Sequence, residues 1–119
     1  MDKAEYQSRL EELNSLVKKE DYEGALAVVE AVDWRRVKSL RTLGMVADVY
    51  EANKRYPEAK KILLMAYDHS SIGKGILYRL VEVSVKMKDF DEAIDFYNEF
   101  EAVARHDNSR YLLKYKILR

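Results

Sequence analysis

Two histidines, one Gly-Lys pair and several carboxylate clusters are the groups with which this 119-residue chain could do chemistry; it has no cysteine. Without cysteine there can be no disulfide, thiolate metal site or thiolate nucleophile, and the composition suits a reducing compartment, with the cytoplasm as the expected location. The Gly-Lys pair lies in SIGKG at 71–75. A loop that cradles phosphate needs a glycine five residues before Gly73, where Asp68 stands, and a Ser or Thr after the lysine, where Gly75 stands. Gly73 and Gly75 fit a turn better. His69 and His106 each stand near the expected end of a helix, where a cation suits the carbonyl dipole, and neither has another ligand at i, i+4. In DFDEAIDF, Asp91, Glu92 and Asp95 are spaced for one solvated helix face, whereas acid–base catalysis needs carboxylates of contrasted burial. No catalytic residue, metal site or cofactor is expected, and the chain reads as a non-enzyme.

Charge narrows the binding classes. The 21 Lys+Arg balance 21 Asp+Glu, which removes the usual electrostatic footprint of a nucleic-acid or anionic-membrane binder. The last 15 residues are the exception, with five basic residues against one acidic. The opening, MDKAEYQSRLEELNSL, has acidic residues where a signal peptide needs a basic and then an apolar run, and no later stretch approaches 18 uncharged apolar residues, so neither export nor membrane spanning is expected. Of nine tyrosines, Tyr22, Tyr50, Tyr56 and Tyr97 fall at expected core positions. Tyr78, Tyr111 and Tyr115 are freer. With Arg105, Arg110, Lys114, Lys116 and Arg119 they sustain RNA binding by the basic tip as a minor alternative.

Four glycines and one proline are too little punctuation for an all-β chain. Apolar residues instead recur at helical spacing: Tyr6, Leu10, Leu13, Val17, and again Phe90, Ala93, Tyr97, Phe100, Ala104. Asp89, three residues before Glu92, predicts a capped helix start with Glu92 reaching back. Pro57 suits a first turn. Asp21, Asp33, Ser70/Ser71 and Asp107/Asn108 mark the remaining starts. Helices are predicted over roughly 3–19, 22–32, 35–54, 57–69, 73–88, 90–105 and 109–119, with no sheet.

These segments repeat. Tyr22, Tyr56 and Phe90 are spaced by 34 residues, and each is followed three residues later by an alanine, at 25, 59 and 93. The same step carries Val29 to Leu63 to Tyr97, and Leu43 to Leu77 to Tyr111. The period and residue classes resemble the tetratricopeptide repeat, a helix-turn-helix unit of this length. DYEGA, RYPEA and DFDEA are similar to the start of that family's second helix, and Leu43, Val46, Ala47 and Tyr50 match its first-helix series. Leu77, Leu80, Val81 and Ser84 match less well, and the family's tryptophan, glycine and inter-repeat proline are replaced.

The resemblance implies an all-α fold, a right-handed α-solenoid of three hairpins (6–39, 40–73, 74–107) plus a final unpaired helix at 108–119, within one domain spanning 1–119. It further implies a protein–protein interaction scaffold whose first helices line a concave groove for a peptide or helix of a partner. Translating by 34 residues aligns Asn14, Asp48 and Glu82; Glu11, Met45 and Arg79; and Leu10, Gly44 and Tyr78. The expected groove residues are Asn14, Met45, Asp48, Glu51, Tyr78, Arg79, Glu82 and Lys86, with a notch at Gly44 beside Tyr78. Asp48 and Glu82 would neighbour each other, while Arg41, Arg79 and Lys86 could hold a carboxylate. A clamp for acidic chaperone tails is disfavoured, since Asn14 and Arg79 match but Leu10, Met45 and Gly75 do not. Trp34 is expected to seal the joint between the first two hairpins. RYLLKYKILR ends the chain with apolar residues uncovered and no C-cap glycine, which favours the N-terminal part of a longer array. The alternative is self-association, as a homodimer or by intramolecular packing, through Tyr111, Leu112, Tyr115 and Leu118.

Overall fold

Aspartate and serine side chains start most of the helices. In the computed structural model, which describes residues 2–70 and 73–104, six α-helices follow one another: α1 (Lys3–Lys18), α2 (Tyr22–Glu30), α3 (Leu40–Ala52), α4 (Tyr56–Asp68), α5 (Lys74–Lys86) and α6 (Phe90–Val103). The Asp2, Asp21, Ser39 and Asp89 side chains each accept a hydrogen bond from a backbone N–H of the first turn, satisfying a donor the helix itself cannot. α4 starts without such a cap and has Pro57 in its first turn, as predicted. No strand occurs among the described residues. The expected helix 109–119, with Tyr111, Leu112, Tyr115 and Leu118, lies outside them.

Two starts and one cap differ from expectation. The predicted helix 35–54 begins at Leu40, because Asp33 does not cap it: the Asp33 carboxylate is taken by the Arg35 guanidinium at 2.7 Å, and Ser39 caps Thr42 instead. Ser70 does not open α5; its hydroxyl donates to the Tyr67 carbonyl and closes α4. Gly73 takes the N-cap position of α5 at φ +70°, where a Cβ would lie 2.9 Å from the Tyr67 ring, so its turn role stands. Glu92 does not return to its own helix start but pairs with Lys60 on α4.

Each hairpin turns the same way. Glu20, Lys54 and Lys88, 34 residues apart, follow the first helices in the left-handed conformation (φ 59°, 59° and 61°), a helix-ending device normally given to glycine. Helices pack in chain order, α1 with α2, α3 with α4, α5 with α6, and α2 and α4 join the hairpins by packing on α3 and α5. Ala25, Ala59 and Ala93 are all fully buried, which is how the small residue of each repeat lets two helices approach. Leu43 and Leu77, again 34 apart, fill the layers between them, and Leu13 is the fully buried leucine of α1. Trp34 is 5% exposed, donates from its indole N–H to the Val29 carbonyl at 2.9 Å and meets the Tyr6 ring edge-on, contacts that tie the loop after α2 to both helices of the first hairpin.

Candidate functional site

α1, α3 and α5 share one side of the stack, and α2, α4 and α6 share the other. On the even-numbered side the helices are tied by charge and hydroxyl contacts: Arg55 to Glu30, Lys60 to Glu92, and the Tyr67 hydroxyl to Glu99. Burial, and the Glu99 carboxylate that its hydroxyl contacts, raise the Tyr67 phenol above its ordinary value. His69 is the C-cap residue of α4 and exposed, in keeping with a helix-end role; His106 lies outside the described residues. No group of three or more metal-ligating side chains converges among the described residues.

The odd-numbered side divides into two unlike halves. Between α3 and α5, Arg79 forms a clasp. Its Nη2 donates to Asp48 Oδ1 and Glu51 Oε2, both at 2.6 Å, and its Nη1 donates to the Gly44 carbonyl at 3.2 Å. Lys86 adds a longer contact to Glu51 at 3.9 Å and sits 5.6 Å from the centre of the Tyr56 ring. Expected groove residues Asp48, Glu51, Arg79 and Lys86 are thus brought together, but onto each other. Arg79 holds carboxylates of its own chain, and Asp48 faces Arg79. The notch at Gly44 is crossed by the Arg79 guanidinium rather than left open beside Tyr78. Tyr78 itself is half-buried and packs edge-on against Phe100 of α6, with centroids 5.8 Å apart, so it is not the freer ring the sequence suggested.

Between α1 and α3 the surface is open. Asn14, Val17 and Lys18, spaced i, i+3, i+4 on α1, face Arg41, Thr42 and Met45 of α3 across a cleft of about 650 Å³. Val17 and Met45 are half-buried against the core and form its apolar floor. Asn14 Nδ2 donates to the Leu10 carbonyl at 3.0 Å, which commits the amide nitrogen, and not the amide oxygen, to its own helix. Sequence reasoning found Asn14 and Met45 but passed over Val17, Lys18 and Thr42. Their signal was present in the helical spacing and in the repeat offset that sets α1 beside α3.

A second cleft of about 670 Å³ lies at the start of α1, where Asp2, Lys3 and Tyr6 meet Val32, Arg36 and Val37 of the loop that Trp34 anchors. The Asp33–Arg35 pair rims it. Arg35 holds the Asp33 carboxyl at about 2, through its side-chain and then its backbone hydrogen bond.

No known protein-family profile and no curated protein sequence matches the chain. Among solved structures, that of PcrH in complex with the chaperone binding region of PopD is similar: TM-score 0.68, covering 98% of this chain and 88% of that one, at 10% identity. At that identity the likeness is one of fold, and it agrees with the tetratricopeptide-like stack of helical hairpins described above. No helix among the described residues is long and apolar enough to cross a membrane.

Proposed function

We propose that the chain is a non-catalytic, cytoplasmic scaffold, one domain of three repeats, that binds a peptide or helix of a partner protein in the groove of its odd-numbered helices. The observation that carries this reading is the α1–α3 cleft: an apolar floor of Val17 and Met45 rimmed by polar side chains, on a framework whose helices are fixed by buried packing. A preformed surface of this kind binds without paying to order itself. Asn14 and Met45 line the contact, and Asp48, Glu51, Arg79 and Lys86 form the adjoining wall, with Tyr78 and Glu82 at its far end. The likeness to PcrH, whose structure holds a binding region of another protein, supports a peptide-binding role.

A second reading has its own observation. Phe90 and Ile94, one turn apart on α6, are 47% and 43% exposed, an apolar patch of the kind that self-association or intramolecular packing would cover.

A photo-reactive side chain placed at Thr42 or at Ile94 separates the two. The groove reading expects a covalent adduct with a different protein from Thr42 and none from Ile94. Adducts with a second copy from Ile94, and silence at Thr42, would replace it with the second reading.

A further inference from the structure

The two halves of the odd-numbered side are the same structural position 34 residues apart, and they differ in one chemical respect. Arg79, Asp48 and Glu51, which clasp α5 to α3, correspond one repeat earlier to Met45, Asn14 and Val17. The Gly44 carbonyl accepts from the Arg79 guanidinium across the joint, whereas its equivalent, the Leu10 carbonyl, accepts from Asn14 of its own helix. Where the later pair of helices is fastened by an ion cluster, the earlier pair carries a thioether, an amide and a valine. The earlier joint therefore has no charge clasp and stands open as a cleft with an apolar floor.

Its lining residues carry charge of one sign only. Lys18 and Arg41, both exposed, line the cleft and have no carboxylate partner among the described residues, whereas Arg79 and Lys86 are matched by Asp48 and Glu51. Each half of the groove thus has a distinct character: one self-neutralised, the other apolar with two uncompensated cations.

We infer that the α1–α3 cleft is the specificity pocket of the groove and takes a partner segment bearing a large aliphatic side chain beside an aspartate or glutamate. This rests on the groove reading above. The aliphatic group covers Val17 and Met45 and removes apolar surface from water. The carboxylate meets Lys18 and Arg41, Arg41 offering a planar fork of donors that suits two carboxylate oxygens. The Asn14 amide and the Thr42 hydroxyl are placed to accept from or donate to the segment's backbone. Arg79 is a positioning residue that fixes the far wall rather than a ligand contact.

The test is selection of short random peptides displayed against the intact protein, followed by affinity measurement for the enriched sequences. Enriched peptides are expected to pair Asp or Glu with Leu, Ile or Met. They should lose about tenfold in affinity on the double change Lys18→Gln/Arg41→Gln and nothing on Lys61→Gln, an exposed cation of α4. Basic winners, or winners that hold equally to the Lys18→Gln/Arg41→Gln variant but weaken on Met45→Asp, would overturn the pocket's charge preference and leave the groove reading standing. Winners indifferent to all of these changes, or no enrichment at all, would overturn both. Thermal melting of each variant confirms that it is folded before its affinity is read.

Discussion

Ser84 is the described side chain that the core holds at a cost. It is fully buried in α5 and its hydroxyl has no hydrogen-bond partner, at the position where the preceding repeat carries the half-buried Tyr50. A buried hydroxyl left unpaired forfeits its hydration with nothing in return, about 1–3 kcal/mol against a paired one. Ser84→Ala removes that hydroxyl without opening a cavity, so stability should be unchanged or should rise by up to about 1 kcal/mol in denaturant unfolding. A loss larger than about 1 kcal/mol would mean that the hydroxyl is bonded after all, through an internal water. Tyr50 shows the other side of the same position. Its ring is half-buried, and burial and then the Glu30 charge raise its phenol above the ordinary value.

The helices were legible from local chemistry wherever one side chain decides a boundary. Asp21, Pro57 and Asp89 stand at helix starts because each satisfies or avoids an orphan N–H, and that requirement does not depend on the rest of the fold. Asp33 misled for the same reason: a lone aspartate before an apolar residue has the chemistry of a cap, and what diverts it is Arg35 two residues on. Groove residues were harder to read. Periodicity located Asp48, Glu51 and Arg79 on one side, but which charges satisfy each other depends on how α3 and α5 sit, and that is settled by packing at Leu43, Ala47, Leu77 and Val81. The three left-handed helix ends escaped notice because Glu20, Lys54 and Lys88 are not glycines.

The loop between α2 and α3 has a pH signature that belongs to this scale. With its folded value lowered to about 2, the Asp33 carboxyl is charged and clasped at neutral pH. The sign follows from that depression: the clasp contributes above the ordinary carboxylate range near 4, and the contribution is lost as pH falls toward 2. Its free-energy share is small, since both partners are exposed and screened by salt. A carboxyl-carbon NMR titration should place the Asp33 midpoint near 2, and Arg35→Ala should return it to the ordinary carboxylate range. A midpoint already near 4 in the parent protein would contradict the clasp.

At the scale of the molecule, stacked hairpins with main principal-axis extents of 44 × 27 × 22 Å form an elongated body in which each repeat contacts its neighbours. Such a stack has two long sides. Here the even-numbered one is braced by ion pairs and a tyrosine–glutamate bond, while the odd-numbered one is clasped at one joint and open at the other. That asymmetry is the reason to place partner binding on the odd-numbered side and to centre it between α1 and α3. The most direct measurement is a backbone amide chemical-shift map of the labelled protein titrated with a peptide that pairs leucine with glutamate. The account predicts shifts concentrated at Asn14–Lys18 and Arg41–Met45, fading through α5. Shifts confined to α4 and α6, with α1 and α3 unmoved, would contradict it.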